Sequence, residues 1–149
     1  GGGNTFALLN LLYQNDLVDA IRHRVEEGMP YMGWSAGSNI AGPSIRTTND
    51  MPIIEPPTFE ALNLVPFQIN PHYTEATLPN HGGETRKDRI NEFVAINPDM
   101  KVIGIPEGNL LQVIDDQVTL IGSDKVKVFE QGKEIKVCAS QDDLSFLLS

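Results

Sequence analysis

Gly33-Trp34-Ser35-Ala36-Gly37 reads G-x-S-x-G, and its surroundings decide the fold. Upstream, Gly28-Met29-Pro30-Tyr31-Met32 predicts a helix stop followed by a short buried strand. Downstream, Ser38-Asn39-Ile40-Ala41-Gly42 is small and polar, enough for one or two helical turns. Strand, sharp turn and helix make a nucleophile elbow. Such a turn strains the serine backbone, and side chains in place of the flanking glycines would clash. The serine hydroxyl is then held out at the C-terminal edge of a sheet. The amide of Ala36 opens the helix and faces a developing oxyanion. The same five residues also occur as a glycine-flanked serine in an ordinary βα turn, so the chemical reading requires a base.

Working outward, 149 residues bound the chain to one domain at most, and 40% hydrophobic content suffices for a core. No apolar run is long enough to span a bilayer, and no signal-peptide pattern is present. The formal net charge of −9 argues against nucleic acid or anionic membrane as a partner. An anionic substrate would need local cations to hold it against that field. The single cysteine, Cys138, excludes an internal disulfide and fits a reducing cytoplasm. It lies in the alternating Ile135-Lys136-Val137-Cys138, a strand pattern without an elbow, which argues against a cysteine nucleophile. The chain opens on Gly1-Gly2-Gly3-Asn4. That opening predicts a start in mid-domain, at a glycine loop that normally follows a strand. A three-layer α/β fold needs several parallel strands, and too few precede the elbow.

Along the chain, Thr5–Asn15 is apolar nearly all round and predicts a well-buried helix. Asp16 stands as the N-cap of a second helix, with Leu17, Val18, Ile21 and Val25 on one face and Gly28 ending it. Residues 43–66 carry five prolines and predict loop. Phe67-Gln68-Ile69-Asn70 predicts a strand stopped by Pro71, and Tyr73–Gly83 a polar loop. Thr85-Arg86-Lys87-Asp88 fits a capping box opening a helix with Ile90, Phe93, Val94 and Ile96. Val102–Ile105 predicts a buried strand ended by Pro106. Leu110–Ile114, Val118–Ile121, Val126–Phe129 and Glu134–Cys138 are short alternating strands. Hairpin-like turns at Asp115-Asp116, Gly122-Ser123-Asp124 and Gln131-Gly132 join them. A parallel βα part thus passes into antiparallel hairpins at the C-terminal end.

Three histidines compete as the base. His23 sits on an exposed helix face beside Arg22 and Arg24, and His81 in a polar loop; both read as incidental. His72 follows a strand directly, in Asn70-Pro71-His72-Tyr73. In open α/β sheets the loops after strand C-termini carry the chemistry, so His72 is the candidate base. Two carboxylates compete to orient it. Asp50 gives the order Ser, Asp, His; Glu107, after Ile105-Pro106, gives Ser, His, Glu and falls on the same sheet edge as Ser35. Arg86 occupies the first turn of a helix, where a cation opposes the macrodipole, and precedes Ile90 by four residues, over the apolar stripe. That placement points to an anionic partner such as a carboxylate, with an ion pair to Glu84 as the plainer alternative. Backbone amides of Gly2-Gly3-Asn4 form an anion nest, and the Gly3 and Ala36 amides together make an oxyanion hole. The glycine run lacks both the Walker pattern and the spacing of G-x-G-x-x-G, which argues against nucleotides. Neither metal nor cofactor is expected.

Taken together, Gly1-Gly2-Gly3-Asn4-Thr5-Phe6, Gly33-Trp34-Ser35-Ala36-Gly37-Ser38-Asn39, Asn70-Pro71-His72-Tyr73, Gly83-Glu84-Thr85-Arg86 and Ile105-Pro106-Glu107-Gly108 resemble the peptidase E family. These are cytoplasmic α-aspartyl dipeptidases of bacteria, serine peptidases related to cyanophycinase. The resemblance implies a three-layer α/β fold with a mostly parallel sheet like that of class I glutamine amidotransferases, a serine replacing their elbow cysteine. It implies hydrolysis of dipeptides with N-terminal aspartate, with Ser35 as nucleophile and His72 as base. Asp50 and Glu107 both match positions proposed for the third triad member, and Arg86 matches the position that binds the substrate aspartate. Family members carry a substantial N-terminal segment with the first strands of the sheet before the glycine run. Residues 1–149 therefore read as the C-terminal portion of a single longer peptidase domain, paired with that segment. The rival readings are a cyanophycinase-like peptidase or an esterase on the same fold, and a non-catalytic carboxylate-binding module.

Overall fold

A computed structural model of the chain describes residues 1–76 and 82–149. His81 lies outside the described residues. The chain divides into two compact units, Gly1–Pro71 and His72–Ser149, each with its own core.

The first unit opens with α1 (Thr5–Gln14), whose N-cap Asn4 accepts the Ala7 amide at 3.1 Å. A second helix, α2 (Leu17–Glu26), follows almost at once. Asp16 holds the expected cap position, but its side chain makes no capping bond. It adopts instead a left-handed backbone (φ 54°, ψ 33°) that turns the chain between the helices, a conformation aspartate tolerates better than most residues. Leu9 and Leu12 of α1 and Val18 of α2 pack with Ile40, Ile45, Ala61 and Leu62. The face of α1 carrying Leu11 stays exposed, so the helix is less wrapped than its composition predicts.

The short buried strand expected at 29–32 is not there: no strand forms at these residues, and Met29 and Met32 are exposed. A strand exists only as part of a ladder, and this segment has no ladder partner among the described residues of its unit. The single helical turn after the elbow, α3 (Ala36–Asn39), forms as expected. Residues 43–66 are loop, tied down by one bridge between Ser44 and Glu60 and by bonds such as Ala61 N to Pro43 O at 2.9 Å. The unit ends in β1 (Gln68–Pro71), shifted one residue from the predicted Phe67–Asn70 so that it takes in the Pro71 expected to stop it.

In the second unit, α4 (Arg86–Ile96) starts at the predicted capping box. The Thr85 hydroxyl accepts the Asp88 amide at 3.1 Å and the Asp88 carboxylate accepts the Thr85 amide at 2.9 Å. Ile90 and Val94 pack with Tyr73, Val102 and Phe129; Ile96, also expected inside, is exposed. Five strands follow: β2 (Val102–Ile105), β3 (Leu110–Ile114), β4 (Gln117–Ile121), β5 (Val126–Phe129) and β6 (Lys136–Cys138). A mostly parallel sheet passing into antiparallel hairpins at the C-terminal end was expected, and the hairpin end forms as predicted, whereas β2 does not join it in the expected direction. Within this unit, β2 pairs antiparallel with β5 (Val102 opposite Phe129) and β5 with β6 (Val126 opposite Cys138). Likewise, β3 and β4 form a hairpin closed by Asp115-Asp116. Parallel neighbours need a crossover of about a dozen residues or more, which the short links inside the β3–β4 and β5–β6 pairs exclude. Between β2 and β5 the β3–β4 hairpin intervenes, so connection length does not set the direction of that pair. Val118 and Leu120 of β4 are buried while their neighbours face out, the period of a one-sided strand. A 3₁₀ turn at Ser145–Leu148, not foreseen in the sequence, docks beside this strand through Val118 N to Ser145 Oγ at 3.2 Å.

Candidate active site

Ser35 immediately precedes α3 with φ 54° and ψ −116°. A positive φ at a residue bearing a side chain is strained, and this ψ lies far from the left-handed helical well. The elbow geometry explains why glycine flanks it. A Cβ on Gly33 would lie 2.4 Å from the Gly37 carbonyl oxygen and 2.5 Å from its carbonyl carbon. Those are backbone atoms, which no rotamer change can move aside. At Gly37 the limit is looser, 3.3 Å to the N and O of Gly1. The Gly37 carbonyl also accepts the Tyr31 hydroxyl at 2.7 Å, and burial pushes the Tyr31 pKa up to about 12. The phenol therefore stays protonated as a fixed strut beneath the turn.

The glycine run lies beside the elbow. The Gly37 amide donates to the Gly1 carbonyl at 3.1 Å, and a Cβ on Gly2 would sit 3.7 Å from Ser35 Cβ. Gly3 has φ 121°, a region natural to glycine. The Gly3 and Ala36 amides donate in none of the backbone bonds found among the described residues. Asp50 is engaged elsewhere in this unit: its Oδ2 accepts both the Thr5 amide at 2.7 Å and the Thr5 hydroxyl at 2.6 Å. The sequence reading missed this contact and the Asn4 cap. A small polar residue just before an apolar helix is the signal that would have located the cap.

The second unit brings His72, Glu107 and Arg86 together. Glu107 Oε1 is hydrogen-bonded to His72 Nδ1, and the Arg86 guanidinium donates to the His72 carbonyl. With a carboxylate at Nδ1, the neutral imidazole keeps its proton there, which makes Nε2 the basic nitrogen of the ring. Both side chains are substantially exposed within the unit, so the pair sets ring orientation more than stability. Burial, with Arg89 adding to it, lowers the Arg86 pKa from its ordinary value, while Glu107 opposes the shift. Glu84, weighed as an ion-pair partner for Arg86, lies 3.8 Å from Arg89. Beside His72, the Tyr73 amide donates to the Ile105 carbonyl at 3.0 Å and the Tyr73 ring covers Gly104, where a Cβ would come within 2.7 Å of it. His23 sits on the exposed face expected of it, 3.5 Å from Glu27. Among the described residues, no group of three or more His, Cys, Asp or Glu side chains could hold a metal ion. No helix among them is long and apolar enough to cross a membrane.

A strained elbow serine in one unit and a histidine–carboxylate pair in the other are the parts found in serine hydrolases. Residues 1–121 match the family model of peptidase family S51, and the chain belongs to that family. It is 54% identical over 148 residues to Peptidase E of a Nostoc species, covering 99% of this chain and 61% of that protein. It is 55% identical over 148 residues to Peptidase E of Shewanella amazonensis, covering 99% and 63%. Against Peptidase E of Actinobacillus pleuropneumoniae it is 47% identical over 146 residues, covering 98% and 62%. The chain therefore spans a little over three fifths of the length of these relatives. A solved structure described as a peptidase E protein from Listeria monocytogenes aligns with a TM-score of 0.49 at 23% identity, over 93% of this chain and 56% of that one.

Proposed function

We propose that this chain forms part of a serine exopeptidase that hydrolyses dipeptides with N-terminal aspartate through an acyl-enzyme. The observation that carries the proposal is the strained Ser35 backbone, φ 54° and ψ −116°, in a chain of peptidase family S51. Strain of this kind persists where the surroundings enforce it for a purpose. In the proposed reaction Ser35 Oγ attacks the peptide carbonyl and His72 Nε2 takes its proton. The amides of Gly3 and Ala36 receive the oxyanion. His72 returns the proton to the leaving amine, then activates the water that releases aspartate. The contact between Glu107 and His72 Nδ1 supports Glu107 as the group that orients the base. The substrate's aspartate side chain is assigned to Arg86, whose fork is suited to a carboxylate; the names of the relatives support a peptidase without specifying this preference.

The same proposal includes the whole-protein fold: a three-layer, mostly parallel sheet like that of class I glutamine amidotransferases, of which residues 1–149 supply the C-terminal portion. The greater length of the relatives leaves room for the additional strands. A cytoplasmic location follows from the same reading. The test is hydrolysis of Asp-Leu against Glu-Leu and Ala-Leu by the protein at its natural length and by its Ser35→Ala variant. Selective Asp-Leu cleavage that disappears in the variant is expected. Cleavage of p-nitrophenyl acetate or cyanophycin without Asp-Leu cleavage would redirect the reading to an esterase or a cyanophycinase-like peptidase. A folded protein that cleaves none of these and resists serine-directed probes would be a binding module.

A further inference from the structure

The segment Gly1–Thr5 is anchored at both ends. At one end it is tied to the elbow, through the Gly1 carbonyl and the Gly37 amide at 3.1 Å. At the other, the Thr5 amide and hydroxyl converge on Asp50 Oδ2 at 2.7 and 2.6 Å, and Asn4 Nδ2 donates to the Met51 carbonyl at 2.8 Å. Thr48 closes the ring: its hydroxyl donates to Thr5 Oγ1 at 3.1 Å and accepts the Asp50 amide at 3.2 Å. A carboxylate here faces the first turn of α1, where the macrodipole favours it, and its bonds are charge-assisted. Between the anchors stand Gly2, Gly3 and Asn4. The glycines have no side chains of their own to hold their amides in place. Where the Gly3 amide points is therefore set by the two anchors.

We infer that Asp50 is a positioning residue: through Thr5 it fixes the Gly3 amide beside Ser35, and it does not orient the histidine. This rests on the proposed roles of Ser35 as nucleophile and Gly3 as oxyanion donor. The two possible roles of Asp50 part company at an amide substitution. Asp50→Asn retains an oxygen that can accept both Thr5 bonds, so a positioning role largely survives it. A triad carboxylate does not survive it, because an amide leaves the histidine in the wrong tautomer, at a cost of about 10⁴-fold in kcat.

The experiment compares wild type, Asp50→Ala and Asp50→Asn in the protein at its natural length. It measures kcat, KM and the pH profile for Asp-Leu, together with amide hydrogen exchange over residues 1–7. Asp50→Ala should lose about 100-fold in kcat, the cost of an oxyanion donor displaced by about 1 Å. Its KM should stay within about threefold, because the donor acts on the transition state, and its pH profile should stay in place. Asp50→Asn should remain within about tenfold of wild type, the loss reflecting weaker neutral bonds. Exchange at the Thr5 amide and the preceding glycines should quicken in Asp50→Ala and stay near wild type in Asp50→Asn. Asp50→Asn as inactive as Asp50→Ala, with a displaced pH profile, would overturn the inference. So would identical exchange in all three proteins. A wild type that leaves Asp-Leu intact would remove the dipeptidase reading, while the exchange comparison would still decide whether Asp50 holds the segment.

Discussion

Gly33→Ala tests the elbow most directly. The added Cβ would lie 2.4 Å from the Gly37 carbonyl oxygen, 2.5 Å from its carbon and 3.0 Å from the Ser38 amide nitrogen. Non-bonded atoms settle at about 3.5–4.0 Å, so relief requires about 1 Å of backbone movement between the two sides of the turn. That movement passes through Ser35. Overpacking of this order costs about 1–3 kcal/mol, which in a chain of this size lowers Tm by about 2–12 °C. A nucleophile displaced by about 1 Å loses about 100-fold in rate. Gly37→Ala is the internal control: its Cβ would meet the Gly1 N and O at 3.3 Å, which a few tenths of an ångström relieve, so activity should stay within about tenfold. Thermal melts, the rate of labelling by a fluorophosphonate and Asp-Leu turnover are measured on both variants. A Gly33→Ala protein with the Tm and labelling rate of wild type would refute the steric argument, as would a Gly37→Ala protein damaged more than Gly33→Ala.

Three further outcomes are expected. Glu107→Gln should lower kcat for Asp-Leu by about 10²–10⁴-fold with little change in KM, since the amide disturbs the His72 tautomer; turnover within twofold of wild type would remove Glu107 from the reaction. Arg86→Ala should cost about 10–100-fold in kcat/KM for Asp-Leu, the value of a hydrogen-bonded charge, and clearly less for an uncharged ester; equal losses on both would deny it a role in selecting aspartate. Glu75 pairs with Lys127 at 2.5 Å and accepts the Tyr73 hydroxyl at 3.0 Å, and Lys127 first, then Tyr73, lower its pKa from the ordinary 4.5. A carboxyl depressed on folding stabilises the fold above its unfolded pKa, and that contribution is lost as pH falls through the lower folded value. Glu75→Gln should therefore be less stable than wild type at pH 7, by less than about 1 kcal/mol given its exposure. The gap should close as pH falls below 4.5 in paired denaturant titrations. A gap independent of pH would assign the loss to packing.

Much of the local architecture was legible before any fold was known. The Thr85–Asp88 capping box starts α4 where the pattern places it, and β3 and β5 occupy their predicted residues. Caps, turns and alternation act within a few residues, so their signals are written locally. Prediction failed where burial depends on neighbours distant in the chain. Met32 has the flanks of a buried strand residue and lies exposed, because alternation says nothing about whether a partner strand is present. Sheet direction was legible in the β3–β4 and β5–β6 hairpins, whose turns are local, and failed at β2, which pairs antiparallel with β5 across the intervening hairpin.

Residue types and turn chemistry by themselves determined that Ser35 sits on a glycine-flanked elbow and that His72 follows a strand. What each carboxylate touches was decided only in three dimensions. Asp50 reaches Thr5 across 45 positions and Glu107 reaches His72 across 35. The local sequence favoured Glu107 by its place after a strand and did not settle the choice between the two acids. Which partner a carboxylate meets depends on how loops close and how segments pack, and that is a property of the folded chain.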